Sequence, residues 1–179
     1  MPEKPKNRLN AEDWLLAGLR ALARSGPSAL RAEALARDLK TTKGSFYWHF
    51  RDLPDYQERL IRFWEERAFD GVIAQLEPDL PPRARLEQLC FLAASLRDPI
   101  YGGARLEPAL RAWALSAPHV AEAVSRMDAR RIAYLEQLCR AAGVAAPTAP
   151  IMLYALLVGL ETLNHEEARR ATRELLMRL

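Results

Sequence analysis

Residues 31–51, Arg-Ala-Glu-Ala-Leu-Ala-Arg-Asp-Leu-Lys-Thr-Thr-Lys-Gly-Ser-Phe-Tyr-Trp-His-Phe-Arg, constrain this chain more than any other stretch. Phe46 and Phe50 are spaced i, i+4, so on a helix they share one face. At about 100° per residue the opposite direction falls on Trp48, flanked by Gly44, Ser45, Tyr47 and Arg51. The two phenylalanines would dock the helix, leaving an indole, a phenol, a hydroxyl and a guanidinium facing outward. Gly44 leaves a gap beside Trp48 through which something large can come close.

The preceding segment, Arg31–Leu39, puts Leu35, Ala36 and Leu39 on one face, positioned to pack on Phe46 and Phe50. Lys40-Thr41-Thr42 between the segments has the length of a helix-turn-helix turn. Thr42 is suited to N-cap the second helix. Lys43 then lies in the first turn, where acidic residues are usual, and implies a negative partner such as phosphate.

Thr42-Lys43-Gly44-Ser45-Phe46-Tyr47-Trp48-His49-Phe50 resembles the recognition segment of TetR/AcrR-type transcriptional regulators. The resemblance covers residues 9–65 and reappears in Leu106-Glu107-Pro108-Ala109-Leu110-Arg111-Ala112-Trp113-Ala114. It implies that Lys43, Gly44 and Tyr47 lie toward base edges, and that Thr42, Ser45, Trp48 and His49 lie toward phosphates or thymine methyls. Two positions depart from the family pattern. Lys40 stands where the family commonly has glycine, at a residue that tends to need positive φ. Leu53 stands where a basic residue is frequent, which puts one phosphate contact in doubt.

Charge is distributed to match. The net charge is +3, but residues 1–51 hold ten Lys/Arg against five Asp/Glu, leaving the remainder at −2. A basic end on a near-neutral body suits a polyanionic partner, although ordinary surface charge gives the same numbers. Half of the 179 residues are hydrophobic, enough for a sizeable core. The N-terminal residues show no apolar signal region, and the longest apolar run, Ile151–Leu160, is half of the about 20 residues a membrane span needs. The expectation is a cytoplasmic protein without membrane contact. Cys90 and Cys139 have no metal-type spacing and read as free, buried thiols.

The rest reads as helix, giving an all-α chain of about nine helices. The division expected is a three-helix DNA-binding head over 1–52 and a helical ligand-binding and dimerisation body over 53–179. Residues 1–9 form a basic arm, either a disordered tail or a minor-groove contact. Asn10 N-caps a helix to about Arg24. Asp52 caps a long helix ending near Leu76, before Pro78, Pro81 and Pro82. Helices follow over Pro82–Leu96, Leu106–Leu115, Pro118–Ala142 and Ile151–Asn164, with a charged helix last. Residues 97–105 read as a loop around Asp98-Pro99 and Gly102-Gly103.

Two functions are expected of the body. The helix from Ile151 is apolar around most of its circumference and needs cover on most sides, from a core or from a second subunit. The resemblance implies that the last two helices form a four-helix bundle across a dimer twofold, with Tyr154, Leu157, Leu160, Leu175 and Leu176 as interface candidates. It also implies an unknown small-molecule effector, for which Arg97, Tyr101, Arg105 and Trp113 in or beside the loop are candidate contacts. The partners expected are thus a palindromic DNA operator, a second copy and that effector. His49, His119 and His165 are scattered, no glycine-rich phosphate loop exists, and no metal set or catalytic constellation is apparent. No cofactor and no enzymatic activity are expected. The expectation is a DNA-binding regulator, with a helical binding or enzyme module carrying an incidental helix-turn-helix as the alternative.

Overall fold

The computed structural model describes residues 9–95 and 99–163. Among them the chain forms eight α-helices and three short 3-10 turns, with no strand. The expected C-terminal helix, the candidates Arg97, Leu175 and Leu176, and the arm before residue 9 lie outside the described residues.

Helix α1, Ala11–Ser25, opens on a reciprocal cap. The Asn10 side chain accepts from the Asp13 N–H at 3.0 Å, and the Asp13 carboxylate accepts from the Asn10 N–H at 2.8 Å. Helix α2, Ala32–Asp38, ends in a left-handed residue. Lys40 has φ 52°, the Lys40 N–H bonds the Arg37 carbonyl at 3.1 Å, and the Thr41 N–H bonds the Ala36 carbonyl at 2.9 Å. This double closure satisfies the last carbonyls of α2, and it sets the angle at which the next helix leaves. The expected positive φ is therefore present, on a side chain that adopts it at a cost of about 1–2 kcal/mol.

Helix α3, Lys43–Tyr47, is shorter than the phase argument assumed. Its last turn tightens: the His49 and Phe50 N–H groups both bond the Phe46 carbonyl at 3.0 Å. The Phe50 bond keeps helical phase, so Phe46 and Phe50 still share a face. Helix α4, Leu53–Ile73, follows, capped by the Asp52 carboxylate on the Asp55 N–H at 2.8 Å. At 21 residues it is about 31 Å long and belongs to both head and body. The body adds α5, Pro82–Ser95; α6, Leu106–Ala114; α7, Pro118–Ala141; and α8, Ala149–Leu163.

Two apolar clusters hold these helices. The first runs without interruption from the head, through Trp14, Leu22, Phe46, Phe50 and Tyr56, into Leu60, Trp64, Leu110, Trp113, Val120 and Met127. The second joins Leu76, Leu86, Leu89 and Cys90 to Leu135, Leu138, Cys139, Leu153 and Tyr154, and both cysteines in it are free. Along the outside, Arg126 pairs with Glu65 at 3.1 Å and Arg130 with Asp70 at 2.6 Å, tying α7 to α4. Solvent-exposed pairs of this kind contribute about 0–1 kcal/mol each and serve register more than stability.

The loop expected over residues 97–105 contains two 3-10 turns, Pro99–Tyr101 and Gly103–Arg105, hinged at Gly102 with φ 102°. It folds down onto the head. A Cβ at Gly102 would lie 2.8 Å from the Ala23 Cβ and 3.0 Å from the Leu19 carbonyl oxygen. Arg20 donates to the Ile100 carbonyl at 3.2 Å.

The tightest packing in the head is at Gly18. The buried Tyr56 hydroxyl donates to the Trp14 carbonyl at 2.9 Å, and a Cβ on Gly18 would lie 1.8 Å from that hydroxyl. Gly18→Ala is therefore expected to destabilise the protein by about 1–3 kcal/mol, despite the better helix propensity of alanine. Guanidinium unfolding measures this; an unchanged or raised midpoint contradicts the packing described.

Candidate nucleic-acid interface and ligand cavity

The outward surface of the head is built on Phe46. Its ring is fully buried, with centroids 5.4 Å from Trp14, 5.0 Å from Phe50 and 5.1 Å from Tyr56. With that side fixed, Trp48 projects outward at 82% exposure and Tyr47 at 50%. Thr42 caps α3 as expected, its hydroxyl accepting from the Ser45 N–H at 3.4 Å. A Cβ at Gly44 would meet nothing nearer than the Thr42 hydroxyl at 3.7 Å, so nothing inside the chain requires glycine there.

Two residues of this surface have partners that sequence alone did not supply. Lys43 was expected to face a phosphate; here its ammonium pairs with the Glu33 carboxylate of α2 at 2.5 Å. Both side chains are more than half exposed, so solvent screens the pair and a phosphate can take the place of the carboxylate. His49 is half buried, and its Nε2–H donates to the Leu9 carbonyl at 3.1 Å. The His49 carbonyl accepts from Arg59 at 2.7 Å, while the Arg59 guanidinium stacks 4.7 Å from the Phe50 ring centroid. His49 thus ties the start of the described chain to the end of the recognition segment. Nothing local marked Arg59, because its partners lie a full element earlier.

Between the two apolar clusters lies a cavity of ≈ 430 Å³. Its apolar and aromatic wall includes Leu19, Trp64, Phe69, Leu89, Tyr134 and Leu157, and among the described residues three charged ones reach it: Arg67, Glu107 and Arg131. Glu107 and Arg131 form a two-pronged pair at 2.8 and 3.2 Å. The Trp64 indole donates to the same carboxylate at 3.1 Å, and Arg131 also donates to the Ala68 carbonyl at 3.3 Å. Behind the wall, Arg111 holds Asp128 through two bonds at 2.9 and 2.7 Å. The Tyr154 hydroxyl joins them, donating to Asp128 at 2.5 Å and accepting from Arg111 at 3.0 Å. Burial, and then its bond to Asp128, push the Tyr154 phenol up to about 12.

Arg67 sits at the cavity rim. One nitrogen donates to the Tyr101 hydroxyl at 3.2 Å and another to the Glu12 carboxylate of α1 at 2.8 Å. Its guanidinium also lies 4.9 Å from the Phe63 ring centroid.

Of the four expected effector contacts, Tyr101 lines the cavity, Arg105 and Trp113 do not, and Arg97 lies outside the described residues. Trp113 is buried in the first cluster, edge-on to His119 at 5.7 Å, because its helical phase with Leu106 and Leu110 carries it inward. Three of the expected subunit contacts lie on α8. Tyr154 and Leu160 are buried within the chain, and Leu157 lines the cavity. The outward face of α8 carries Ile151, Met152 and Ala155. A helix apolar all round offers no phase by which to tell inside from outside. The missed charges did have a signal: Arg131 falls in phase with Val124, Met127, Leu135 and Leu138, where a solvated residue has no place.

The Asp128 carboxyl shows a balance of opposing effects. Burial would raise it, but hydrogen bonds from Arg111 and Tyr154 hold it below its ordinary 3.8. A depressed folded value contributes stability that is present above the unfolded value and lost as pH falls through the folded one. Asp128→Asn is expected to lose about 1–3 kcal/mol at neutral pH. The variant should also lose less stability than the parent on acidification below about pH 4. Urea midpoints across pH measure both; parallel pH profiles for the two proteins contradict the assignment.

Residues 15–52 match the family model described as bacterial regulatory proteins, tetR family. Among curated proteins none matches the sequence. Solved structures share the fold across nearly the whole length. A transcriptional regulator from Rhodococcus sp. Rha1 has 16% identity and TM-score 0.74, covering 94% of each chain. A Saccharomonospora viridis protein in complex with choline has 19% identity and TM-score 0.76, covering 93% of this chain and 92% of that one. The multidrug binding protein EbrR, complexed with imidazole, has 23% identity and TM-score 0.60, covering 99% and 93%. Residues 15–52 thus carry the sequence pattern of the tetR family of bacterial regulatory proteins, and the chain as a whole shares the fold of these solved structures.

Proposed function

We propose that this protein is a homodimeric transcriptional regulator that grips an operator through residues 42–49 and lets go when a small molecule fills the cavity. The observation that carries the reading is the contrast between Phe46, fully buried, and Trp48, 82% exposed, two residues apart. A large indole held in water beside an open Gly44 has a purpose when a groove covers it. On this reading Lys43, Gly44 and Tyr47 face base edges. Thr42, Ser45 and Trp48 face the backbone or thymine methyls, and His49 acts mainly by holding the segment through Leu9. To face the base edges Lys43 gives up its pair with Glu33 for the DNA.

A twofold dimer supplies the second half-site, with successive major grooves about 34–36 Å apart. The outer face of α8, with Ile151 48% and Met152 63% exposed, is the apolar surface we assign to the partner copy. Effector binding favours a head spacing that no longer matches those grooves. The Saccharomonospora viridis and EbrR neighbours hold choline and imidazole, which supports a small-molecule role for the body. No described helix is long and apolar enough to cross a membrane.

Gel shift on DNA selected from a random pool tests the reading. Gly44→Ala should fold as the parent does and bind about tenfold or more weakly, because the new methyl meets only the DNA. Trp48→Ala should bind more weakly too, and the parent's affinity should fall steeply with salt. Parent-like binding by both variants contradicts the reading. For the dimer, Met152→Glu should shift the protein toward monomer in sedimentation, and an unchanged species removes α8 as the interface.

A further inference from the structure

Among the charges at the cavity, one can change partners. Arg131 is committed: two prongs to Glu107, a third bond to the Ala68 carbonyl, and side-chain exposures of 19% and 17% across the pair. Glu107 is equally committed, receiving Arg131 and the Trp64 indole. Among the described residues lining the cavity it is the only acid, and its charge is already engaged by Arg131 and the Trp64 indole. Arg67 differs. It makes single bonds to two unlike partners, Tyr101 in the wall and Glu12 on the head, and its side chain is 43% exposed. The remaining wall is mostly apolar and aromatic, which leaves the arginine rim as the place for a charged group.

We infer that the cavity takes a compact, apolar-bodied carboxylic acid whose carboxylate takes Arg67 from Glu12. The acid's body fills the ≈ 430 Å³ against Trp64, Phe69 and Tyr134, within the size range of small-ligand sites. Its carboxylate accepts two bonds from the Arg67 fork, a better match than the single bond from Glu12. The Tyr101 hydroxyl, which now accepts from Arg67, can turn to donate. Glu12 lies in the first turn of α1, so the exchange cuts a direct tie between α4 and the head. Tyr101 sits beside Gly102, which presses on α1 at Leu19 and Ala23, so a shift of Tyr101 reaches the same helix. The effector class and the release step are then one event. This inference rests on the regulator reading for its consequence on DNA, but not for the ligand class.

Three probes of one shape separate the possibilities: 2-naphthoate, 2-naphthylmethanol and 2-naphthylmethylammonium. Calorimetric titration and thermal unfolding of the full chain should show 2-naphthoate binding at least about tenfold more tightly than the other two. Arg67→Gln should abolish that preference. Glu12→Gln should bind 2-naphthoate more tightly than the parent, because the competing carboxylate is gone; a merely structural Glu12 would not give this sign. Arg67→Lys, which keeps the charge and loses the fork, should fall between parent and Arg67→Gln, and it serves if the glutamine variant does not fold. Stronger binding of the ammonium, no binding of any probe, or an undiminished preference in both Arg67 variants overturns the inference. Gel shift on the same preparations reports separately: absence of DNA binding defeats the regulator reading while the probe series still decides the ligand class.

Discussion

The burial of Phe46 is the constraint on which the head depends. Helix α3 has five residues, far fewer than an isolated helix needs to persist in water. Its direction is therefore imposed from below, by Trp14 on α1, Tyr56 on α4 and Phe50 closing the segment. Tyr56 is locked in turn by its bond to the Trp14 carbonyl, and Gly18 leaves the space for it. One aromatic knot thus fixes three helices, and the direction in which the indole at 48 projects is set by what lies beneath it.

The body solves a different problem. An apolar cavity must be kept open between helices that would gain by closing it. Charged groups placed among the walls do this. Arg131, Glu107 and the Trp64 indole satisfy one another, as do Arg111, Asp128 and Tyr154. Each set costs desolvation and is held by several bonds, so neither can collapse inward without leaving a buried charge unpaired. Among the described residues, the Arg111 Nε and, on α5, the Arg85 Nε are buried in the body without a partner.

Much of this was legible in the sequence wherever phase or local chemistry decides. The Phe46 and Phe50 face and the caps at Asn10, Thr42 and Asp52 each follow from a few neighbouring residues, whereas the left-handed Lys40 follows from the resemblance. Gly143 closes α7 with the same pair of bonds that Lys40 makes for α2, so the motif is plain even where glycine is missing. What escaped was set by distant partners. Lys43 meets Glu33 across the turn, and His49 meets Leu9 forty residues back. The orientation of α8 could not be read, because its surroundings and not its pattern choose the buried side. Arg131 is legible as a charge on an apolar stripe, but the length of α7 and its many other charges mask that signal.

The first apolar cluster crosses residue 52 without a seam, running from Trp14 and Phe50 to Trp113, Val120 and Met127. Head and body are therefore not separable cassettes. Transplanting the N-terminal fifty residues onto another body would carry half of a core and leave the complementary half behind. Any exchange that keeps this core intact has to move α1–α4 together with α6 and the start of α7, so on the proposed function operator preference and effector response would be inherited as a linked pair.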